Sequence, residues 1–178
     1  MILGIGTDLC DQNRIENLLK KYPKFPQKIL SFSEFENFNE IFGENAKSTP
    51  NSGENFSKNW IKKVAYLSKR WAAKEAIAKA STLGISGLGL QNITIKNHSK
   101  VGHFSQISKE KITDSSQPNF ILSSEILDKI RKQFQLPKDA LIQANLSISY
   151  EENFVLAFVV LSAVLTKIEV KSGKNGAF

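Results

Sequence analysis

Apolar residues fill the opening of the chain almost without a break from Ile2 to Leu9, with Gly4 and Gly6 set among them. The run predicts a strand over residues 2–9 in which the two glycines permit close backbone approach. The spacing then changes to three and four, placing Ile15, Leu18, Leu19 and Tyr22 along a helix whose exit Pro23 and Pro26 bracket. Ser33 followed by Glu36 has capping-box spacing ahead of Phe35, Phe38, Ile41 and Phe42, and predicts a short helix buried on its phenylalanine side.

Over residues 43–59 only Ala46 and Phe56 are apolar, which predicts an exposed loop insertion around Pro50. Residues 60–81 predict the longest helix, with Ile61, Val64, Leu67 or Ser68, Trp71, Ala72, Ala76 and Ala80 at helical spacing and Thr82-Leu83-Gly84 at its end. Residues 92–96 alternate as a strand, and the polar stretch 97–117, which holds both histidines, predicts a second insertion. Residues 120–122 suit a short strand, and Ser124 is placed to cap a helix carrying Ile126, Leu127, Ile130 and Phe134 that Leu136-Pro137 closes. Residues 145–150 alternate, Glu151, Glu152 and Asn153 turn the chain, and 154–161 is apolar, a hairpin in the middle of a sheet. There is no internal repeat, and the tail after Lys167 is expected to be loosely held. These elements define an α+β fold, a small antiparallel sheet packed against one long helix and shorter ones. It is read as one domain over 1–178 with loop insertions near 43–59 and 98–116.

Composition narrows the function. A chain of 178 residues with 41% hydrophobic residues has an ordinary core and excludes a disordered tail or disulfide-stapled miniprotein. One cysteine, Cys10, forbids an internal disulfide, and with His98 and His103 it leaves too few soft ligands for zinc or an iron–sulfur cluster. Any metal is therefore expected to be hard and oxygen-bound. The start lacks a basic segment before its apolar run, and the apolar stretch 154–165 is too short to span a bilayer as a helix, so a cytoplasmic protein with no membrane role is expected. With 24 Lys and Arg against 17 Asp and Glu the net charge is +7, which favours an anionic partner.

Two carboxylates stand in unusual company. Asp8 closes the glycine-rich strand, and Glu75 sits in Arg70-Trp71-Ala72-Ala73-Lys74-Glu75-Ala76-Ile77-Ala78-Lys79-Ala80. A strand-end Asp and a helix Glu can share one Mg²⁺, which takes one or two carboxylates and fills its octahedron with water and phosphate oxygens. From the residues alone the plainer alternatives are the commoner ones: Asp8 capping the next helix, and Glu75 pairing with Lys79 four residues on. Ala72, Ala76 and Ala80 give the helix a flat face for close approach to a neighbour, while Arg70, Lys74 and Lys79 form a cluster near Glu75 suited to a polyphosphate. Arg14, Lys20, Lys21, Lys24 and Lys28 make a basic patch beside Asp8 that would steer an acidic partner, or simply be a lysine-rich surface.

These motifs resemble the holo-acyl-carrier-protein synthases, the small 4′-phosphopantetheinyl transferases. Gly4-Ile5-Gly6-Thr7-Asp8-Leu9 is similar to the family's first motif and Arg70 to Ala80 to its second, in the family's order. Ile29-Leu30-Ser31, the stretch 34–38, Gly84-Ile85, the stretch 90–95, Leu146-Ser147-Ile148-Ser149 and Ala157-Phe158-Val159-Val160 resemble the segments around them. The resemblance implies that Asp8 and Glu75 bind Mg²⁺ with the pyrophosphate of coenzyme A and that Lys79 contacts the phosphates, the three forming the catalytic set. It implies Arg70, Lys74, Lys79, Gly84, Asn145 and Ser147 as further contacts to coenzyme A. Arg14, Lys20, Lys21 and Lys24 would receive an acidic acyl carrier protein. The implied reaction moves 4′-phosphopantetheine to a carrier serine and releases adenosine 3′,5′-bisphosphate, a step that supports fatty acid biosynthesis, in a homotrimer. The chain departs from the family pattern at Asn145, at Ser149-Tyr150 and at Thr82. Two rival readings are a basic nucleic-acid-binding module, disfavoured because most of the 12 Phe sit at core-like spacing, and a carrier- or coenzyme A-binding protein without turnover.

Overall fold

The computed structural model describes residues 1–43, 53–96 and 118–165. Strand β1 (Ile2–Asp11) leads into helices α1 (Gln12–Lys21), α2 (Phe25–Ile29), α3 (Phe32–Phe42), α4 (Gly53–Ala80) and α5 (Gly84–Leu88). Strands β2 (Ile93–Lys96) and β3 (Asn119–Leu122), helix α6 (Ser124–Gln133) and the hairpin β4 (Leu141–Glu151) and β5 (Phe154–Val164) follow. The five strands form one antiparallel sheet in the order β1-β5-β4-β3-β2, so the first and fourth strands flank the last. The α+β expectation holds.

Helix α4 lies across one face of β1 and β5, and small residues bring it there. A Cβ on Gly4 would overlap the carbonyl oxygen of Ala80, and one on Gly6 that of Ala76. The glycines of the strand and the alanines of the helix, separate signals in the sequence, are two sides of one contact. Val155, Ala157, Val159, Leu161 and Ala163 complete the buried face opposite α4. Among the described residues the other face is bare: Ile5 and Leu9 on β1 and Phe154, Leu156 and Phe158 on β5 are exposed, and Phe158 stands opposite Thr7 in the register.

Several boundaries differ from the sequence expectation. The capping box of α3 is Ser31 with Glu34, not Ser33 with Glu36: the Ser31 hydroxyl accepts from the Glu34 amide at 3.4 Å and the Glu34 carboxylate accepts from the Ser31 amide at 2.9 Å. Both pairs have the right spacing, and the first is chosen because Glu34 is then drawn inside to cationic partners. Ser123 rather than Ser124 caps α6, accepting from the Ile126 amide at 3.3 Å. Asp11, not Asp8, caps α1, with Oδ1 accepting from the Asn13 amide at 2.8 Å. Helix α4 starts at Gly53, so the predicted loop 43–59 is helical from Gly53 on, and β4 and β5 are longer than expected at the ends away from their shared turn. The rest of that loop, the stretch 97–117 and the tail after Lys167 lie outside the described residues.

Candidate functional site

The register of β1 turns Gly4, Gly6, Asp8 and Cys10 toward α4, and so delivers the Asp8 carboxylate to the helix turn holding Glu75 and Lys79. Lys79 donates from Nζ to Asp8 Oδ1 at 2.8 Å and to the Thr7 carbonyl at 2.9 Å. Lys79 is half exposed and Asp8 mostly buried, so this ion pair spans the edge of a site and not its interior. The alternative pairing of Lys79 with Glu75 along the helix does not form.

Burial pushes the Glu75 carboxyl above its ordinary value, the nearby Asp8 carboxylate pushes it further, and Lys79 and Arg14 pull the other way. Cys10, two residues from Asp8, is raised to about 11, by burial first and Asp8 second, and is an inert thiol at neutral pH. Two carboxylates that repel each other at the protein edge, with a movable ammonium beside them, suit a hard divalent cation: a cation between them removes the repulsion. Among the described residues no three His, Cys, Asp or Glu side chains cluster, so a cation here would take its other ligands from water and phosphate, as Mg²⁺ does.

Arg70 and Lys74 do not join Glu75. Lys74 points into the protein and is fully buried, its Nζ donating to Glu34 Oε2 at 2.5 Å and to the carbonyls of Ile29 at 2.7 Å and Leu90 at 2.9 Å. Burial draws its ammonium down to about 8 against the attraction of Glu34. With three acceptors for three N–H groups, Lys74 has none left for a phosphate, because consecutive helix positions face about 100° apart. Arg70 lines a separate cleft of about 380 Å³ with Glu34, Tyr66 and Lys96. Gly84, with φ +67°, follows the α4 end beyond Lys79, and Thr82 takes φ +58°, a conformation glycine reaches freely and a β-branched residue does not. Gln133 donates to the Thr82 hydroxyl at 2.9 Å.

Asn145 and Ser147 lie on the bare face of the sheet, opposite Val160 and Phe158, on the side away from α4, Asp8 and Glu75. Within one chain they do not reach the carboxylates. On α1, Arg14 stacks over Trp71 at 5.9 Å and, with Lys21, borders a shallow groove lined by Asp11, Asn13, Asn17 and Leu18. Lys20 is paired with Glu16 at 2.8 Å, and Lys24 precedes α2. Glu34, the hub of the interior charges, escaped the sequence reading although Ser31-x-x-Glu34 fits the capping-box spacing as well as the pair two residues on.

The structure is that of a small α+β protein in which a carboxylate pair and a lysine meet where β1 crosses α4. Comparison with known proteins gives the family. Residues 4–158 match the model of the 4′-phosphopantetheinyl transferase superfamily. A holo-[acyl-carrier-protein] synthase of Streptococcus uberis is 33% identical over 133 residues, 72% of this chain and 98% of that protein. The crystal structure of holo-[acyl-carrier-protein] synthase from Neisseria meningitidis superposes with a TM-score of 0.60 at 34% identity, covering 91% of this chain and 99% of that one. A synthase of Bacillus anthracis in complex with coenzyme A (3′,5′-ADP) superposes at 0.55 and 25% identity, covering 90% and 96%. The chain belongs to the 4′-phosphopantetheinyl transferase superfamily, and it is an enzyme of that kind.

Proposed function

We propose that this protein transfers the 4′-phosphopantetheine group of coenzyme A to a serine of an apo acyl carrier protein. The observation that carries the reading is the meeting of Asp8, Glu75 and Lys79 where the glycine-rich strand crosses α4. Asp8 and Glu75 would hold Mg²⁺ with the coenzyme A pyrophosphate, and when bound it supplies charge neutralisation to the bridging phosphates. Lys79, freed from Asp8, turns its exposed ammonium to a phosphate oxygen, and Gly84 leaves backbone open beside it. The carrier serine oxygen attacks the β-phosphorus, a new phosphoester bond forms, the pyrophosphate bridge breaks, adenosine 3′,5′-bisphosphate leaves and one proton is released. No covalent enzyme intermediate is required. The product is the loaded carrier that fatty acid synthesis uses, and a cytoplasmic setting suits the single, inert Cys10.

Arg14, Lys20, Lys21 and Lys24 would receive the acidic carrier beside the site, and the Arg70 cleft would take an anionic part of coenzyme A. The bare apolar face supports a homotrimer: Asn145 and Ser147 can serve coenzyme A only if the outer face of one copy lies against the Asp8 side of the next. One domain over 1–178, with the two insertions as appendages, is the organisation this reading requires. Formation of adenosine 3′,5′-bisphosphate from coenzyme A tests the reaction: it should need Mg²⁺ and an apo carrier with its acceptor serine. Release with a carrier whose serine is alanine would show hydrolysis instead of transfer.

A further inference from the structure

Glu34 is 3% exposed, and its carboxylate accepts from three donors and faces a fourth charged group. Oε2 accepts from the Ser31 amide and Lys74, Oε1 accepts from the Ile95 amide at 2.9 Å, and Arg70 Nε stands 3.4 Å from Oε1. One carboxylate therefore faces two buried cations. A buried guanidinium ordinarily takes a carboxylate two-pronged, through parallel N–H bonds. Here Glu34 meets Arg70 at one oxygen and not two-pronged, so its hold on Arg70 is by charge: Nε has ion-pair distance but no hydrogen bond, although Arg70 is 6% exposed.

The other hold on Arg70 also leads back to α3. Its guanidinium carbon lies 3.3 Å from the centre of the Tyr66 ring, and the Tyr66 hydroxyl donates to the Glu34 carbonyl at 3.2 Å. Its one hydrogen bond among the described residues, from Nη1 to the Tyr66 carbonyl, is long at 3.4 Å. A guanidinium stacked on one side, drawn from another and short of acceptors fronts the cleft that Ser33, Asn37, Thr94 and Lys96 also line. Lys96 adds positive charge there, and Glu34 is the one acid among the described residues of its wall.

We propose that Glu34 is a positioning residue for coenzyme A: by pairing with Lys74 while holding Arg70 through charge and through Tyr66, it presents the Arg70 guanidinium to an anionic group of the cofactor. The inference rests on the proposed transfer reaction and on Arg70 as a coenzyme A contact. Lys74 thereby becomes part of the support, in place of the direct contact the sequence implied.

Steady-state kinetics of Glu34→Gln, Arg70→Met and the double variant, with coenzyme A and apo carrier varied separately, test it. Glu34→Gln should raise KM for coenzyme A about tenfold while kcat and KM for the carrier stay within about twofold. In the Arg70→Met background, itself raised in KM, the same change should add less than about twofold. An equal multiple in both backgrounds, or a fall in kcat alone, would overturn the proposal. Should Glu34→Gln fail to fold with Lys74 unpaired, Glu34→Gln/Lys74→Met removes both charges and carries the same expectations. If the unmodified protein shows no transfer, the reaction is wrong, and calorimetric titration of coenzyme A into the same variants still decides whether Glu34 acts through Arg70.

Discussion

Lys79 on α4 bonds Asp8 on β1, seventy-one residues away in the chain, and Glu75, its neighbour one helical turn back, has no ion pair among the described residues. The ammonium compensates the more buried carboxylate and leaves Glu75 raised, by burial first and by repulsion from Asp8 second. That imbalance makes the carboxylate pair costly to the fold.

Replacing Glu75 should separate stability from activity. A carboxyl whose folded-state value lies above its unfolded value binds its proton more tightly in the fold, so its contribution is present at low pH and lost as pH rises through the folded-state value. In chelator at pH 7, Glu75→Gln should therefore melt above the unmodified protein, with the gap closing as pH falls toward the ordinary carboxylate range. Its Mg²⁺-dependent transfer should drop on the order of 100-fold or more, as should that of Asp8→Asn. Thermal melts in chelator check the first part, and a variant less stable at pH 7 would remove the repulsion argument.

The glycine and alanine contact is expected to be unforgiving. Gly6→Ala places a methyl on the Ala76 carbonyl and should destabilise by about 2–3 kcal/mol, lowering Tm by about 4–12 °C. Gly84→Ala meets open space and bears only the left-handed backbone penalty, about 1 kcal/mol. Denaturant melts that rank the two in the reverse order would contradict the packing described.

Much of this was legible in the sequence. Strand β1, α1, the long helix and the closing hairpin follow from apolar spacing, whereas the residues alone favour a cap for Asp8 and an i,i+4 pair for Glu75, and only the family resemblance joins the two. The partner choices were not legible. Two serine–acid pairs two residues apart fit the same cap, and only tertiary contact between Glu34, Lys74 and Arg70 decides between them. Lys74 and Glu75 are neighbours in the chain yet face opposite environments, which residue type cannot reveal. Ser147 falls in a stretch that resembles a family motif and Asn145 departs from that pattern beside it, but the alternation of β4 places both across the sheet from Asp8 and Glu75.

Docking of the carrier should be electrostatic. Arg14→Glu with Lys21→Glu should raise KM for the apo carrier about tenfold at low salt, and the difference should shrink near 0.5 M salt, as a rough estimate from screening. Mass-detected initial rates at two ionic strengths read this directly. A KM unaffected by both substitutions would move the carrier to another surface.

The bare sheet face should hold the assembly. Phe158→Glu and Leu156→Glu, both on that face, are expected to give a monomer by sedimentation velocity with unchanged far-ultraviolet circular dichroism and transfer lost on the order of 100-fold. Full activity in a monomer would show that Asn145 and Ser147 do not act across an interface.

The most direct test of the central claim is the intact mass of an apo acyl carrier protein incubated with this protein and coenzyme A, with and without Mg²⁺. The account predicts a gain of one phosphopantetheinyl group that requires the metal and is lost with Asp8→Asn. No gain, with the same carrier and buffer loaded by another transferase, would contradict it.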